Sequence, residues 1–188
     1  DQAGLRAFAS LPVSAGGRIK PMDTAARTLL MVVGGRASVQ TDDGMLDATG
    51  FLLDLIAKPD SVRDIPVVRV DNPGVRSLLG LPPEGGERVS LAAIEPHWAE
   101  ISAQAARAHA VPARSRDGFQ RSVLQLHDRV NLLLAHTQMR EPYVVPPLGP
   151  GQEWRSFHDA FMAGVDELAA AGPDAEPLQP HPAVAYYT

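Results

Sequence analysis

The side chains able to do chemistry in this chain of 188 residues are few and scattered. Histidine occurs at His97, His109, His127, His136, His158 and His181. No two of these stand four residues apart, and none belongs to an H-E-x-x-H string, so a helix-borne zinc site is not expected. His127 and His136 fall on one expected helix, where their spacing corresponds to about 900° of rotation and points them to opposite sides. Haem can use a single axial histidine, so each histidine stays an isolated candidate beside its ordinary role as a surface or half-buried side chain. Trp154 and His158 have i, i+4 spacing and could stack, either facing a haem or packing at a helix start. Cysteine is absent. That excludes disulfides, thiolate nucleophiles, cysteine-ligated zinc and covalent haem attachment at a C-x-x-C-H site. No G-x-S-x-G, S-x-x-K or P-loop string occurs. Gly149-Pro150-Gly151 precedes a helix, but its proline removes a donor that an anion would want. Asp42-Asp43 reads as a pair of solvated turn carboxylates. No catalytic residue and no metal ligand is assigned.

The cations are more informative. Arg18-Ile19-Lys20-Pro21 places two positive side chains around an apolar one, immediately ahead of a very apolar helix. One reading is an anion or partner contact made by Arg18, Lys20 and Arg27, for example with haem propionates or an acidic protein surface. The other is local: Arg18 and Lys20 pair with nearby carboxylates such as Asp23 and fix the loop. Acids stand four residues ahead of bases at Asp23/Arg27, Asp54/Lys58 and Asp117/Arg121, a spacing that supports a helix by about 0.2–0.5 kcal/mol per pair.

These residues must be positioned by helices. Hydrophobic residues make up 45% of the chain and charged residues 21%, enough apolar material for a core and too little charge for general disorder. The net charge of −5 argues against nucleic acid as a partner. No apolar run is long enough to span a bilayer. The chain opens on Asp1 rather than Met, as expected of a processed product or an excised piece. A helix is expected over 1–10. A polar, glycine-containing turn follows over 13–21, then a strongly periodic helix over 22–33, with Met31 and Val32 widening its stripe toward deep burial. Thr41 to Gly44 reads as a turn, and 45–57 as a helix. Residues 66–70 are the best strand, with Arg88-Val89 as its short partner. Asn72 with Pro73 opens a short helix, and Ser90 caps a segment that continues past Pro96 to His109. The longest helix is expected over 117–138 and the last over 152–171, where Trp154, Phe157, Phe161, Val165 and Leu168 form one stripe. Residues 173–188 hold Pro173, Pro177, Pro180 and Pro182 and read as an extended tail or linker. The expected fold is mainly α: a bundle-like single domain over 1–172 with at most one two-stranded β element.

One string is more specific. Leu11-Pro12-Val13 followed by Gly17-Arg18-Ile19-Lys20-Pro21-Met22-Asp23-Thr24-Ala25-Ala26-Arg27 resembles the soluble extracytoplasmic domain of System II (Ccs/Res-type) cytochrome c biogenesis proteins. Further matches follow in order: Phe51-Leu52-Leu53-Asp54-Leu55 with Pro59; Val68-Arg69-Val70-Asp71-Asn72 with Leu78-Leu79-Gly80-Leu81; Arg88-Val89-Ser90; Asp128-Arg129-Val130-Asn131; and Pro146-Pro147 with Glu153-Trp154. The resemblance covers roughly residues 6–160. It implies a periplasmic domain tethered to the inner membrane, beside a membrane-embedded haem-handling segment that carries the axial histidines. It also implies apocytochrome c as a partner and haem in the full assembly. No haem ligand is carried over to this chain. The expectation is a non-catalytic domain positioning haem or apocytochrome c. The alternative is a scaffold subunit of another membrane complex, and a free-standing enzyme is the third reading.

Overall fold

A computed structural model describes residues 2–42, 44–84, 88–147 and 149–171. In chain order the elements are α1 (Gln2–Ser10), β1 (Pro12–Ala15), β2 (Arg18–Pro21), α2 (Met22–Gly34), β3 (Ser38–Thr41), β4 (Gly44–Asp47), α3 (Ala48–Ala57), α4 (Pro59–Val62), β5 (Val68–Arg69), α5 (Pro73–Leu78), β6 (Arg88–Val89), α6 (Leu91–Ile94), α7 (Trp98–His109), α8 (Gly118–Thr137) and α9 (Phe157–Ala171). The fold is mainly α, as the periodicity requires. The proline-rich tail expected over 173–188 lies outside the described residues. The chain divides into two compact units, a division that the sequence reading does not draw. One holds the residues up to Ala25 and from Ala135 onward, the other Ala26–Leu134.

The β content corrects the expectation of at most one ribbon: β1–β2, β3–β4 and β5–β6 are three two-stranded antiparallel ribbons. The 13–21 turn is a hairpin because Gly16 (φ 60°) and Gly17 (φ 72°) supply the left-handed pair that a two-residue loop needs. In the second ribbon Thr41 pairs with Gly44, and the helix expected from 45 starts at Ala48 instead. The Asp47 carboxylate accepts the Gly50 N–H at 2.7 Å and fixes that start. The third ribbon, Val68 with Val89 and Arg69 with Arg88, is the expected one.

The Ala26–Leu134 unit holds most of the large buried side chains. Leu30 and Val33 of α2, Phe51, Leu52 and Leu55 of α3, Ile101 of α7, and Val123, Leu126 and Leu133 of α8 are all buried. Each such side chain removed from water contributes about 1.5–3 kcal/mol before the entropy of ordering it. Met31 and Val32 are 52% and 50% exposed, so α2 buries a narrower stripe than expected. At about 100° per residue both fall off the 26/29/30/33 face. Asn72 accepts N–H bonds from Gly74 and Val75, and Ser90 from Ala93, the two caps read from sequence. Asp117 forms a reciprocal capping box with Gln120 instead of leaning on Arg121. The Arg121 guanidinium donates to the Arg116 carbonyl.

In the other unit, α8 ends on a left-handed Met139 (φ 53°), with Met139 N–H bonded to His136 O and Arg140 N–H to Ala135 O. This is the glycine-type helix stop carried out by a non-glycine residue. The last helix starts at Phe157 rather than 152. Val145 and Arg155 exchange both backbone hydrogen bonds, and Trp154 lies outside the helix. Buried Ser156 then caps the helix by accepting the Asp159 N–H.

Candidate functional site

Most structurally engaged arginines serve the backbone. Arg88 donates from Nε (2.8 Å) and Nη2 (2.5 Å) to the carbonyl of Gly34 at the end of α2. Arg129 donates to Val32 O at 3.2 Å and Arg69 O at 2.6 Å. Burial lowers the Arg129 pKa, with Asp71 opposing that shift and Arg69 adding to it. Arg116 Nε reaches Ala108 O and Val111 O at the end of α7, both at 3.0 Å. Buried Arg76 donates to Pro82 O. Val32 and Gly34 lie in the last turn of α2 and Ala108 in that of α7, where carbonyls lack intrahelical partners and the negative end of the helix dipole favours a cation.

Arg18 and Lys20 are different. Both lie on β2, and among the described residues neither side chain has an ion-pair or hydrogen-bond partner. The local pairing with Asp23 is therefore not found there. Arg27 is exposed on α2, belongs to the other unit and has an interaction partner. The ladder around β2 is well defined. Ala15 pairs with Arg18, Ser14 with Ile19 and Val13 with Lys20. A two-residue loop makes Ala15/Arg18 a hydrogen-bonded pair, and pairs alternate from there. Three bonds agree with this phase: Met22 N–H reaches Leu11 O at 2.8 Å, and Ser14 turns outward to exchange bonds of 2.9 and 3.1 Å with Tyr143. Pro12 and Pro21 sit in a non-hydrogen-bonded pair, where a missing N–H costs no ladder bond. By the same phase the Ile19 N–H and C=O point away from β1, and among the described residues they take no hydrogen bond. Tyr143, Ser14 and Ile19 form a cross-strand row on one face, and Ile19 is 64% exposed.

The cations are legible in the sequence, whereas the strand edge is not. The available signal was Gly16-Gly17 between short runs, a two-residue hairpin signature. A second feature not legible in the sequence is the exposure of the apolar stripe on the expected last helix, α9. Phe157, Phe161, Met162 and Val165 are exposed, Phe161 by 59%, and Phe157 stacks on Phe161 at 6.2 Å. Amphipathic spacing identified the stripe but not whether anything covers it.

The histidines occupy separate environments. His127 stacks on Trp98 at 5.1 Å with parallel rings and contacts Asn131. His136 is buried and has an interaction partner. His97 and His158 are half-buried, His109 is exposed, and His181 lies outside the described residues. Trp154 precedes α9, so its i, i+4 relation to His158 is not a helical one. Among the described residues, no group of three histidines or acids could hold a metal. A cleft of about 270 Å³ in the Ala26–Leu134 unit is lined by Leu30, Val39, Val67, Arg36 and Arg88 among others.

No protein-family model matches the chain. Over 147 residues it is 24% identical to protein NrfI of Wolinella succinogenes. The match takes in 78% of this chain and 16% of NrfI, so the chain spans about a sixth of that relative's length. The similarity is distant and extends well beyond the Leu11–Arg27 string. No helix among the described residues is long and apolar enough to cross a membrane.

Proposed function

We propose that this chain is a non-catalytic, partner-binding domain of a cytochrome c biogenesis protein, working on the periplasmic side beside a membrane-embedded haem-handling segment. The observation that carries the reading is the similarity to NrfI along most of the chain, which supports a role in cytochrome c biogenesis. The ordered match to the System II domain supports it from the residues. The geometry agrees in kind. The β2 edge with Arg18 and Lys20 and the exposed face of α9 are surfaces for holding another polypeptide. Apocytochrome c is the partner that this reading gives them, and Arg18, Lys20 and Arg27 are its proposed contacts.

Removal of this segment in frame from the intact gene tests the reading. Covalent haem in c-type cytochromes is expected to fall while the remaining protein persists in the membrane. Undiminished haem attachment refutes the proposal. Titration of the isolated chain with haem separates haem contact from partner contact: a Soret shift places haem on this domain, and its absence leaves apocytochrome as the bound species.

A further inference from the structure

The β2 edge has a chemistry of its own. Ile19 presents an outward N–H and C=O as one pairing unit. Pro21, which has no N–H, ends the edge two residues later, so any added strand is short. Side chains alternate along β2, with Arg18 and Lys20 on one face and Ile19 on the other. A strand laid against this edge meets two cations on one face and an exposed isoleucine on the opposite face.

We propose that β2 binds a short extended polypeptide segment as an added strand centred on Ile19, and that this segment alternates acidic residues with an apolar one. The proposal rests on the partner-binding reading above and gives that partner a chemistry. Backbone pairing supplies affinity, and the alternating side chains supply choice, as in other strand-addition complexes. Opposite charges directly across a ladder are favourable and like charges are not. That rule argues against a second copy of this chain on the same edge: antiparallel pairing about Ile19 sets Lys20 across from Arg18 at both ends. Edge strands commonly avoid unwanted pairing with a lysine or a proline. Here Lys20 and Pro21 do so against self-association and leave the edge open to an acidic strand.

The test uses the isotopically labelled 188-residue chain and a capped peptide alternating glutamate and valine. Saturable binding is expected, with slowed hydrogen exchange at the Ile19 amide. Arg18→Glu/Lys20→Glu is expected to weaken binding by about tenfold or more, and Ile19→Val to leave it intact. N-methylation of the peptide's central valine removes a backbone donor without touching the protein, and it is expected to abolish the slowed exchange. Unchanged exchange at Ile19 with saturating peptide overturns the proposal. So does equal binding of the N-methylated peptide or of a lysine–valine peptide. Vesicles of phosphatidylcholine and phosphatidylglycerol form a separate arm, and protection of Ile19 by vesicles but not by peptide also overturns it. If the double variant is folded, loses the peptide and still supports full cytochrome maturation, the edge site stands and its part in the proposed function fails. Full maturation dependence without peptide binding removes the edge site alone.

Discussion

Gly34→Ala sets two effects against each other, and the structure decides between them. Alanine is preferred to glycine inside a helix by about 1 kcal/mol, so propensity alone favours the substitution at the end of α2. A Cβ on Gly34, however, lies 2.4 Å from the Val67 carbonyl oxygen and 3.5 Å from Arg88 Nε. Ordinary carbon–oxygen contacts are about 3.3–3.6 Å, so the deficit is roughly 1 Å. The obstructing atom is backbone, next to buried Val68, which pairs with Val89. Relief requires shifting that strand or the helix end that Arg88 holds through Gly34 O. Overpacking of this kind costs about 1–3 kcal/mol, and a strained charged hydrogen bond adds to it. The net expectation is a loss of about 2 kcal/mol, or roughly 4–8 °C in Tm for a chain of this size. Urea and thermal unfolding measure it, with Gly50→Ala as the comparison. There the nearest atom is Leu46 Cδ1 at 2.9 Å, a side-chain end that can move, so a smaller change is expected. A Gly34→Ala chain as stable as the parent would refute the close-approach argument.

Other outcomes follow from the same structure. Met139→Gly relieves a left-handed non-glycine residue and is expected to raise stability by about 0.5–1 kcal/mol in urea unfolding. Asp117→Ala removes the α8 capping box and is expected to cost about 1 kcal/mol, while Arg121→Ala costs clearly less. Burial raises the Glu141 pKa above its usual 4.5. The folded state therefore holds that proton more tightly than the unfolded chain, so this group's contribution to stability falls as pH rises through the interval just above 4.5. Glu141→Gln is expected to flatten that part of the stability–pH curve.

What the sequence discloses here follows how local each cause is. Asn72, Ser90 and the α2 stripe are legible because a cap or a helical face is decided within a few residues. Arg88 is not, because the carbonyl it serves is at Gly34, 54 residues away, and only the fold brings them together. Asp117 shows competition between two local rules: the cap wins over the i, i+4 pair because it satisfies backbone N–H groups that would otherwise lack partners. Gly16-Gly17 carried a hairpin signal, but the flanking residues are too few and too polar to show strand alternation. Arg18 and Lys20 were visible as cations, whereas the outward Ile19 amide between them depends on the phase of a ladder. The exposure of Phe157 and Phe161 is a fact about what surrounds α9, which a stripe cannot report.

The proposed role joins cytochrome c maturation to a partner held on the β2 edge, and both halves are tested together in the cell. The most direct measurement is covalent haem in c-type cytochromes from cells whose intact protein carries Arg18→Glu and Lys20→Glu, at matched protein levels and with folding verified on the isolated chain. A marked loss of haem attachment, restored by Arg18→Lys/Lys20→Arg in place of the reversals, is the predicted result. Full haem attachment by the folded charge-reversed protein would contradict it.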